Sequence, residues 1–492
     1  MTTLQDGTST EQELADVLGA ADAAAAELRS LPGAARAAAL RRAADAMDAA
    51  AGDLVPLAHQ ETSLPVRPRL AGELGRTTFQ LRLLAEVVEE GSYLEVTLDS
   101  PDPDWPAGGR PDVRRMLRPV GPVLNFAASN FPFAFSVAGG DTAAALAAGC
   151  PVVVKANPGH PAVSALTGSL VADALTAAGL PAGSLAVVYG EEIGRAALVD
   201  PRIRAGTFTG SPAGGRALFD IASSRPDPIP FYAEMGSVNP AFVTPPAAAS
   251  RATEIADGYL GSFTLGTGQF CTKPGLLFVP AGAAETFESH LVSELASRPA
   301  TRLLNDRIAG GYERRLAALT AHPAVTVLHA GASGVDGSAP TLLGVSAADL
   351  LAHHEELAAE CFGPTSIVVR YASDDEALAC ARSFTGELSA TVQGEGDDPL
   401  AAELVAELST RAGRVLWNGW PTGIAVTYAM HHGGPFPATT SALHTSVGTT
   451  SLRRFLQPVT YQNMPQSLLP EPLRDGNPLG VPRRVDGVLT TR

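Results

Sequence analysis

The stretch of sequence that decides the fold is VGPVLNFAASNFPF at residues 120–133, which is followed by CPVVVKANPGHP at residues 150–161. Each is a short apolar run that ends in Gly, Asn or Pro and leads into an alanine-rich segment with helical spacing. The pattern returns at LAVVYG (185–190) and AGTFTGSPAGG (205–215). Strands that alternate with helices in this way predict a parallel, doubly wound α/β sheet that binds ligands at the carboxyl ends of its strands.

Four residues follow these predicted strands and should therefore lie at one edge of the sheet: Asn130, Lys155, Gly190 and Gly210. The run GSPAGG, residues 210–215, lies between a strand and a helix. Its glycines and the helix N-terminus suit the phosphates of a dinucleotide, although the spacing departs from G-x-G-x-x-G. For this run taken alone, an ordinary turn is the alternative.

Helices are predicted before the sheet. Thr10 and Glu13 form a capping-box pattern that opens a helix reaching about Leu28, and further helices are expected over 34–50 and 71–90. The Pro-, Asp- and Gly-rich sequence at residues 99–112 predicts an extended arm or hairpin outside the core.

After Phe231 a second α/β series begins, with helices expected at about 251–260 and 284–295 and a strand at 365–371. We therefore divide the chain into a cofactor-binding domain (1–236, with an arm at about 99–118), a catalytic domain (237–445) and a C-terminal oligomerisation or tail segment (446–492).

Composition restricts the function classes. The chain has 492 residues, more than one ordinary core holds, and its formal net charge of -16 argues against nucleic acid and anionic membrane as main partners. The four cysteines are scattered without a C-x-x-C pair, so neither a disulfide framework nor a zinc site is expected. Because the sequence shows no export signal and no apolar segment long enough to span a membrane, we expect a cytoplasmic protein.

The candidate for chemistry is Cys271, in the loop FTLGTGQFCTKP at residues 263–274. Glycines at 266 and 268 allow the backbone to approach a ligand closely, so a reactive thiolate is plausible at this position. A buried structural thiol is the alternative for this loop taken alone.

The chain resembles the aldehyde dehydrogenase family from about Leu14 to its end. The motifs that carry the resemblance are SNFPF with Asn130, VVVKANP with Lys155, EMGSVNP with Glu234, GQFC with Cys271, and ECFGP with Glu360 and Phe362. They occur in the family's order and at about its spacing. The resemblance implies an aldehyde dehydrogenase fold with a Rossmann-like cofactor domain, an α/β catalytic domain and a small oligomerisation arm.

The resemblance also implies roles. Cys271 would attack the aldehyde carbon, the Asn130 amide and the Cys271 backbone N–H would hold the oxyanion, and Glu234 would activate the water that hydrolyses the thioester to a free acid. The expected cofactor contacts are Lys155 at the adenine-side ribose, Gly210, Ser211 and Gly215 at the pyrophosphate, and Glu360 and Phe362 at the nicotinamide. The alternatives are a turn-forming Asn130 and ordinary surface or ion-paired roles for the charged residues.

Pro158 stands where NAD-preferring relatives commonly have Glu, so NADP is the expected cofactor, with NAD as the alternative. Lys155, His160 or Arg195 would assist a 2′-phosphate. No metal is expected. A homodimer or homotetramer is expected because the arm and the C-terminal segment carry apolar residues without an obvious partner in their own domain.

Residues 126–161, 354–364 and 436–463 most resemble the family's NADP-dependent group that oxidises α-ketoglutaric semialdehyde to 2-oxoglutarate. The residues that depart from that group's pattern are Ala425, Thr427 and Tyr428, in a stretch expected to line the substrate pocket. The cations considered for the substrate tail are Lys273, Arg453, Arg454, His431 and His432, with a surface or interface role preferred for the two arginines.

Three alternatives remain. An apolar pocket of Phe131, Phe133 and Phe135 would suit a broad fatty or aromatic aldehyde dehydrogenase, although such residues are more often core. A catalytically retired binding or structural protein is the second, and the intact Cys271 and Glu234 argue against it. A cysteine hydrolase is the third, and it is disfavoured because no motif indicates a His partner for the thiol.

Overall fold

A computed structural model describes residues 7–334 and 337–491. The helices are α1 Glu11–Ser30, α2 Gly33–Ala49, α3 Ala51–Thr62, α4 Ala71–Glu90, α5 Gly140–Ala148, α6 Pro161–Ala177, α7 Glu191–Val199, α8 Pro212–Ser223, α9 Pro245–Thr264, α10 Ala284–Leu295, α11 Asp306–Thr320, α12 Ala347–Ala352, α13 His354–Leu357, α14 Asp374–Ser383 and α15 Pro399–Leu408. The strands are β1 Val96–Asp99, β2 Val113–Pro119, β3 Val123–Phe126, β4 Val152–Lys155, β5 Leu185–Val188, β6 Ala205–Thr209, β7 Phe231–Glu234, β8 Ala241–Val243, β9 Leu276–Pro280, β10 Thr326–His329, β11 Ser333–Gly334, β12 Gly337–Ser338, β13 Thr341–Ser346, β14 Thr365–Tyr371, β15 Ala390–Gln393, β16 Val415–Trp417, β17 Leu456–Gln462, β18 Arg483–Val485 and β19 Val488–Thr490.

The first sheet has the order β5-β4-β3-β6-β7, and all its strands are parallel. Its inner strands β3 and β4 are buried on both faces along their whole length. Asn130, Lys155, Gly190 and Gly210 lie at or after the carboxyl ends of β3, β4, β5 and β6. The predicted doubly wound sheet is confirmed, and the four residues share its carboxyl edge; ligand binding at that edge remains a prediction.

The second sheet has the order β10-β13-β14-β9-β8-β15-β16, with only β10 antiparallel to its neighbour. Phe242 of β8 and Phe278 of β9 stack at 4.2 Å between ring centroids in its buried core. The chain passes from the first sheet to the second between Glu234 and Ala241. The predicted domain boundaries at 236 and 445 remain predictions.

A third sheet joins the predicted arm to the end of the chain. Its order is β17-β2-β1-β18-β19, so β1 and β2 pair with strands from the last residues described. A small core links Val96 and Met116 of the arm to Leu469 and Leu473. The arm and the C-terminal segment therefore bury part of each other's apolar surface, whereas Leu468, Leu479, Val488 and Leu489 stay exposed. The apolar residues of this small core thus have their partner in the other segment, and the oligomeric state remains a prediction.

The helices predicted from the sequence are present, with differences at α3 and α9 in the part of the chain before α11. The Thr10–Glu13 capping box is present, with both reciprocal hydrogen bonds. Helix α3 was not predicted, because Gly52 and Pro56 are poor helix formers; burial of Leu54 and Ala58 on one face offsets that cost. Helix α9 extends beyond the predicted 251–260 at both ends, but Arg251 (φ -137°, ψ 26°) kinks it, so its second part begins where the helix was predicted. Within the described residues, none of the helices has the length and apolar character needed to cross a membrane.

Candidate active site

Three side chains from distant segments meet beside the ends of β7 and α9. His432 Nε2 lies 3.6 Å from Cys271 Sγ and 2.9 Å from Glu234 Oε1. His432 and Glu234 are buried, whereas Cys271 is partly exposed. Because one ring nitrogen faces both the thiol and the carboxylate, His432 can exchange a proton with only one of them at a time.

The segment that carries His432 folds back against β7 and holds the carboxylate in place. Ser446 Oγ donates to Glu234 Oε2 at 2.5 Å, and the His432 backbone N–H donates to Thr445 Oγ1 at 2.8 Å. Glu234 also pairs through its backbone with Thr439. The carboxylate is therefore fixed by a hydroxyl on one oxygen and by the imidazole on the other.

The loop before Cys271 has three successive residues in the left-handed region: Gly266, Thr267 and Gly268, with φ of 56°, 59° and 66°. A Cβ on Gly268 would lie 2.1 Å from the Gly363 carbonyl oxygen, so no side chain fits there. Thr267 is β-branched and is strained in this conformation. The Gly-x-Gly spacing thus serves a tight turn that places the thiol.

Asn239 fixes the other side of the loop. Its Nδ2 donates to the Cys271 carbonyl at 2.9 Å and to the Lys273 carbonyl at 3.0 Å. The Asn239 backbone N–H donates in turn to Glu387 Oε2 at 3.0 Å, and this oxygen also accepts from Ser237 Oγ at 2.5 Å. Burial raises the pKa of Glu387 to about 7, against the effect of these hydrogen bonds.

Burial raises the pKa of the Cys271 thiol well above its usual range, and the negative charge of Glu234 and its hydrogen bond to the thiol raise it further. Arg76 acts in the opposite direction. For Glu234, burial acts to raise the pKa, but the charge of His432 and several hydrogen bonds outweigh it, and the pKa lies below its ordinary value. The resting pair is therefore a protonated thiol beside an ionised carboxylate, which is a base within reach of the thiol proton.

Asn130 reaches the thiol loop. Its side-chain Nδ2 donates to the Gln269 backbone carbonyl at 3.0 Å, and the backbone carbonyl of Asn130 accepts from Arg69 Nη2 at 2.7 Å. An amide nitrogen carries two hydrogens, so one remains for an oxyanion formed at Cys271. The structure thus brings Asn130 to the loop that carries Cys271, and its role at the oxyanion remains a prediction.

The predicted phosphate site lies at the start of α8. Ser211 is the N-cap, and its Oγ accepts from the Gly214 backbone N–H at 3.3 Å. A Cβ on Gly215 would lie 2.7 Å from Met235 Cγ, so this glycine permits close packing of the helix on the sheet, as in dinucleotide-binding turns. Lys155 ends β4 and is buried. These residues fit a dinucleotide.

Glu360 lies between the phosphate site and the catalytic cluster. A Cβ on Gly236 would lie 2.6 Å from Glu360 Oε2 and 3.0 Å from Pro212 Cγ, so this carboxylate borders the first residue of α8. Burial raises the pKa of Glu360 to about 7, opposed by the charge of Lys273. Phe362 is half-buried and packs against the core of the first sheet. Glu360 thus borders the start of α8, and the predicted nicotinamide contacts of Glu360 and Phe362 remain predictions.

Two of the three residues proposed to assist a 2′-phosphate, His160 and Arg195, differ in their surroundings. His160 is fully buried, with Nε2 2.9 Å from the Ala128 carbonyl and Nδ1 3.2 Å from Ser164 Oγ. Both ring nitrogens are used, so its predicted contact to a phosphate is wrong. Arg195 is exposed and pairs with Glu192 at 2.8 Å.

The cations considered for the substrate tail are mostly engaged elsewhere. Lys273 Nζ is buried and donates to the carbonyls of Cys361 at 2.6 Å and Thr365 at 2.7 Å, so it cannot reach a ligand. Arg454 is buried and pairs with Asp141 at 2.7 Å, which makes the surface or interface role preferred for it wrong.

Arg453 pairs with Glu95 at 2.8 Å, and its side chain is about half exposed, in line with the surface role preferred for it. His431 is half-buried beside Gly433, where a Cβ would lie 2.9 Å from its Nε2. Neither residue belongs to the cluster around the thiol.

His432 is the functional residue whose place the sequence patterns missed. The sequence offers it only as a cation for the substrate tail, because no motif indicates a His partner for the thiol, whereas the structure places its Nε2 3.6 Å from Cys271 Sγ. The sequence signal for this residue is the pair His431–His432 before Gly-Gly-Pro, but the sequence does not tell which of the two imidazoles faces the thiol.

The same cluster also has the composition of a metal site. The ligand atoms of Glu234, Cys271 and His432 lie within 4.8 Å of one another, and a second such group comprises His322, His353 and Glu356 at the surface. Thiolate, imidazole and carboxylate are zinc ligands. In the first group the three atoms already interact with one another as an acid–base cluster, and the expectation of no metal remains a prediction.

Comparison with known proteins adds to this geometry. The chain matches the sequence model of the aldehyde dehydrogenase family over residues 2–311. It is 47% identical over 464 residues to "Alpha-ketoglutaric semialdehyde dehydrogenase 2" of Azospirillum brasilense, covering 93% of this chain and 88% of that protein. It is 44% identical over 443 residues to "Alpha-ketoglutaric semialdehyde dehydrogenase" of Acinetobacter baylyi, covering 89% and 84%.

Among solved structures, 3,6-anhydro-L-galactose dehydrogenase superposes with a TM-score of 0.78 at 21% identity, over 92% of each chain. At that identity the likeness concerns the fold alone. It supports the α/β architecture that was predicted from the strand and helix pattern.

Proposed function

Because this chain belongs to the aldehyde dehydrogenase family, we propose that it oxidises α-ketoglutaric semialdehyde to 2-oxoglutarate, with NADP as the preferred cofactor. The observation that carries the proposal is the contact of the Cys271 thiol with a buried imidazole and, through it, a buried carboxylate. The semialdehyde is supported by two relatives of that name at 47% and 44% identity over most of the chain.

In the first half of the reaction, Cys271 loses its proton to the adjacent base and its sulfur bonds to the aldehyde carbon. The carbonyl electron pair moves to oxygen, and the Asn130 amide and the Cys271 backbone N–H stabilise the resulting oxyanion. A bound nicotinamide dinucleotide supplies the hydride acceptor, and its contacts would come from Lys155, the start of α8 and Glu360.

In the second half, the acyl group on Cys271 is transferred to water. Glu234 takes a proton from that water as the oxygen attacks the acyl carbon, and the C–S bond breaks to release the carboxylic acid. His432 lies between the two groups and returns a proton to the leaving sulfur. The shared nitrogen therefore links the protonation of the thiol to that of the base.

The preference for NADP rests on Pro158. This residue occupies the position where a carboxylate would repel a 2′-phosphate, and the loop that holds it follows β4 directly. NAD is the alternative cofactor. Arg195 is exposed and close in sequence to the start of α7, so it stays a candidate for the phosphate, whereas His160 does not.

A broad fatty or aromatic aldehyde dehydrogenase is the second candidate, and it is favoured by an apolar cluster beside the site. Phe131 and Phe135 lie 5.2 Å apart, and Phe131 lies 5.3 Å from Phe270, which precedes the nucleophile. Phe133 is fully buried and belongs to the core. Tyr428 is exposed, with 65% of its surface accessible, so it is free to face a substrate.

The test is reduction of NADP and NAD by the purified chain with α-ketoglutaric semialdehyde, succinic semialdehyde and hexanal in parallel. We expect the highest kcat/KM for the keto-acid semialdehyde with NADP and no turnover by Cys271→Ala. A higher kcat/KM for hexanal would establish the second candidate. Turnover of an ester or amide without dinucleotide, and of no aldehyde with it, would instead identify a cysteine hydrolase.

A further inference from the structure

We infer that Arg76 binds the carboxylate of the substrate and thereby selects aldehydes that carry an acid group at the far end of a short chain. The inference rests on the proposed function, since it concerns the substrate of the same site. Arg76 is on α4, and its guanidinium carbon lies 5.5 Å from the ring centroid of Phe135. That ring lies 6.3 Å from the imidazole of His432, which contacts the Cys271 thiol.

The guanidinium of Arg76 has unused donors. No hydrogen bond or ion pair joins it to another residue within 7–334 and 337–491, and its Nη1 is shielded from solvent. Arg76 is partly exposed, but a shielded Nη1 without an acceptor is unfavourable, and five N–H groups in a planar fork match a carboxylate in two-point contact. The side chain is thus suited to an anionic ligand.

Neighbouring charges do not compete for Arg76. Glu73, one turn before it, accepts from the backbone N–H groups of Phe133 and Ala134 at 2.8 and 2.9 Å and also pairs with Arg69. Glu234 is paired with His432 at 2.9 Å. The nearby carboxylates are therefore satisfied by other groups, and a substrate carboxylate would meet no stronger rival.

The other cations near the thiol are occupied. Arg69 donates to the Asn130 carbonyl at 2.7 Å, and its guanidinium lies 4.3 Å above the ring of Phe131. Arg414 donates to the backbone carbonyls of Pro421 at 2.5 Å and Gly423 at 3.2 Å. Among these arginines, Arg76 alone is without an acceptor in the part of the chain that the structure describes.

Arg76 is also close enough to act on the reacting groups. Its positive charge lowers the pKa of the Cys271 thiol, while burial lowers the pKa of Arg76 itself. A substrate held by its carboxylate at Arg76 would extend past Phe135 toward the thiol. This arrangement favours ω-oxo carboxylates of about the length of succinic and α-ketoglutaric semialdehydes over uncharged aldehydes.

The test compares Arg76→Gln and Arg76→Lys with the wild type on α-ketoglutaric semialdehyde and on hexanal. We expect Gln to lower kcat/KM for the semialdehyde by roughly 100-fold, mainly through KM, with less than about a 3-fold change for hexanal. Lys should restore part of the loss. The matched control is Arg82→Gln on the same helix, since Arg82 pairs with Asp45 and Asp48 at the surface and should leave both substrates unchanged.

Equal losses on both substrates would overturn the inference and make Arg76 an electrostatic partner of the thiol instead. If the wild type oxidises the semialdehyde and Arg76→Gln leaves kcat/KM unchanged for both substrates, the role of Arg76 is refuted while the proposed function stands. A wild type that oxidises no semialdehyde would refute the proposed function itself.

Should the Arg76 variants fail to fold, the wild type still provides a test. Its kcat/KM for succinic semialdehyde should exceed that for the corresponding amide by roughly 100-fold. Similar values for the acid and the amide would overturn the inference.

Discussion

Replacing Glu234 by Gln should make the Cys271 thiol more reactive toward an alkylating agent at neutral pH, although it removes a general base. The carboxylate oxygen that faces the site lies within 4.8 Å of the Cys271 sulfur. At an effective dielectric constant of about 20, a unit charge at that distance disfavours the thiolate by about 3 kcal/mol. Glutamine is isosteric and neutral, so this penalty disappears.

A change of about 3 kcal/mol corresponds to more than about 100-fold in the thiolate population. Because His432 already compensates part of the charge, we expect at least about a 10-fold increase in the rate constant for iodoacetamide. The pH dependence of alkylation should shift to lower pH, since removal of a negative charge lowers the pKa of the thiol. Cys271→Ser supplies the background rate.

Slower alkylation of Glu234→Gln than of the wild type would refute this reasoning. It would mean that Glu234 promotes the thiolate by accepting its proton, and that this effect exceeds the repulsion between the two negative charges. The same variant should release acid slowly after a single turnover, because the acyl group on Cys271 would lack the base that activates water. An unaffected steady-state rate would show that His432 alone can serve as that base.

Three further predictions concern the loop around the nucleophile. Gly268→Ala should destabilise the protein by about 2 kcal/mol or more in urea unfolding, because its Cβ would clash with the Gly363 carbonyl, whereas Gly282→Ala, with open space around it, should be nearly neutral. Asn239→Ala should lower stability by about 2 kcal/mol and activity with it, because two carbonyls of the loop lose their donor; unchanged thermal unfolding would contradict this. Native protein should take up one equivalent of iodoacetamide per chain, at Cys271, since the other cysteines are buried; rapid uptake of a second would contradict the packing.

The first sheet and its ligand-binding edge could be predicted because the signal is local. Each strand is an apolar run ended by Gly, Asn or Pro, and parallel topology then places residues such as Asn130 and Lys155 together without knowledge of any contact. The capping box of α1 was predictable for the same reason. By contrast, α3 contains Gly52 and Pro56 and is stabilised by tertiary burial, which the local sequence does not display.

The side-chain partners in the site could not be predicted, because they depend on which face of an irregular segment turns inward. His431 and His432 are adjacent, yet only the second contacts the thiol. Lys273 follows Cys271 closely and looks available in the sequence, but it is used to bind backbone carbonyls. Arg76 lies on a helix whose amphipathic pattern gives no sign that one of its arginines packs on Phe135 beside the site.

The distance along the chain between the nucleophile and its proton partner has a consequence for protein synthesis. His432 lies 161 residues after Cys271. At about 5–20 residues per second, a ribosome needs roughly 10–30 seconds to add that stretch. During this interval the nascent chain carries the cysteine without its imidazole and without the Ser446 hydroxyl that holds Glu234. A chain that ends between Cys271 and His432 would therefore carry the cysteine without the imidazole that contacts its thiol in the folded protein.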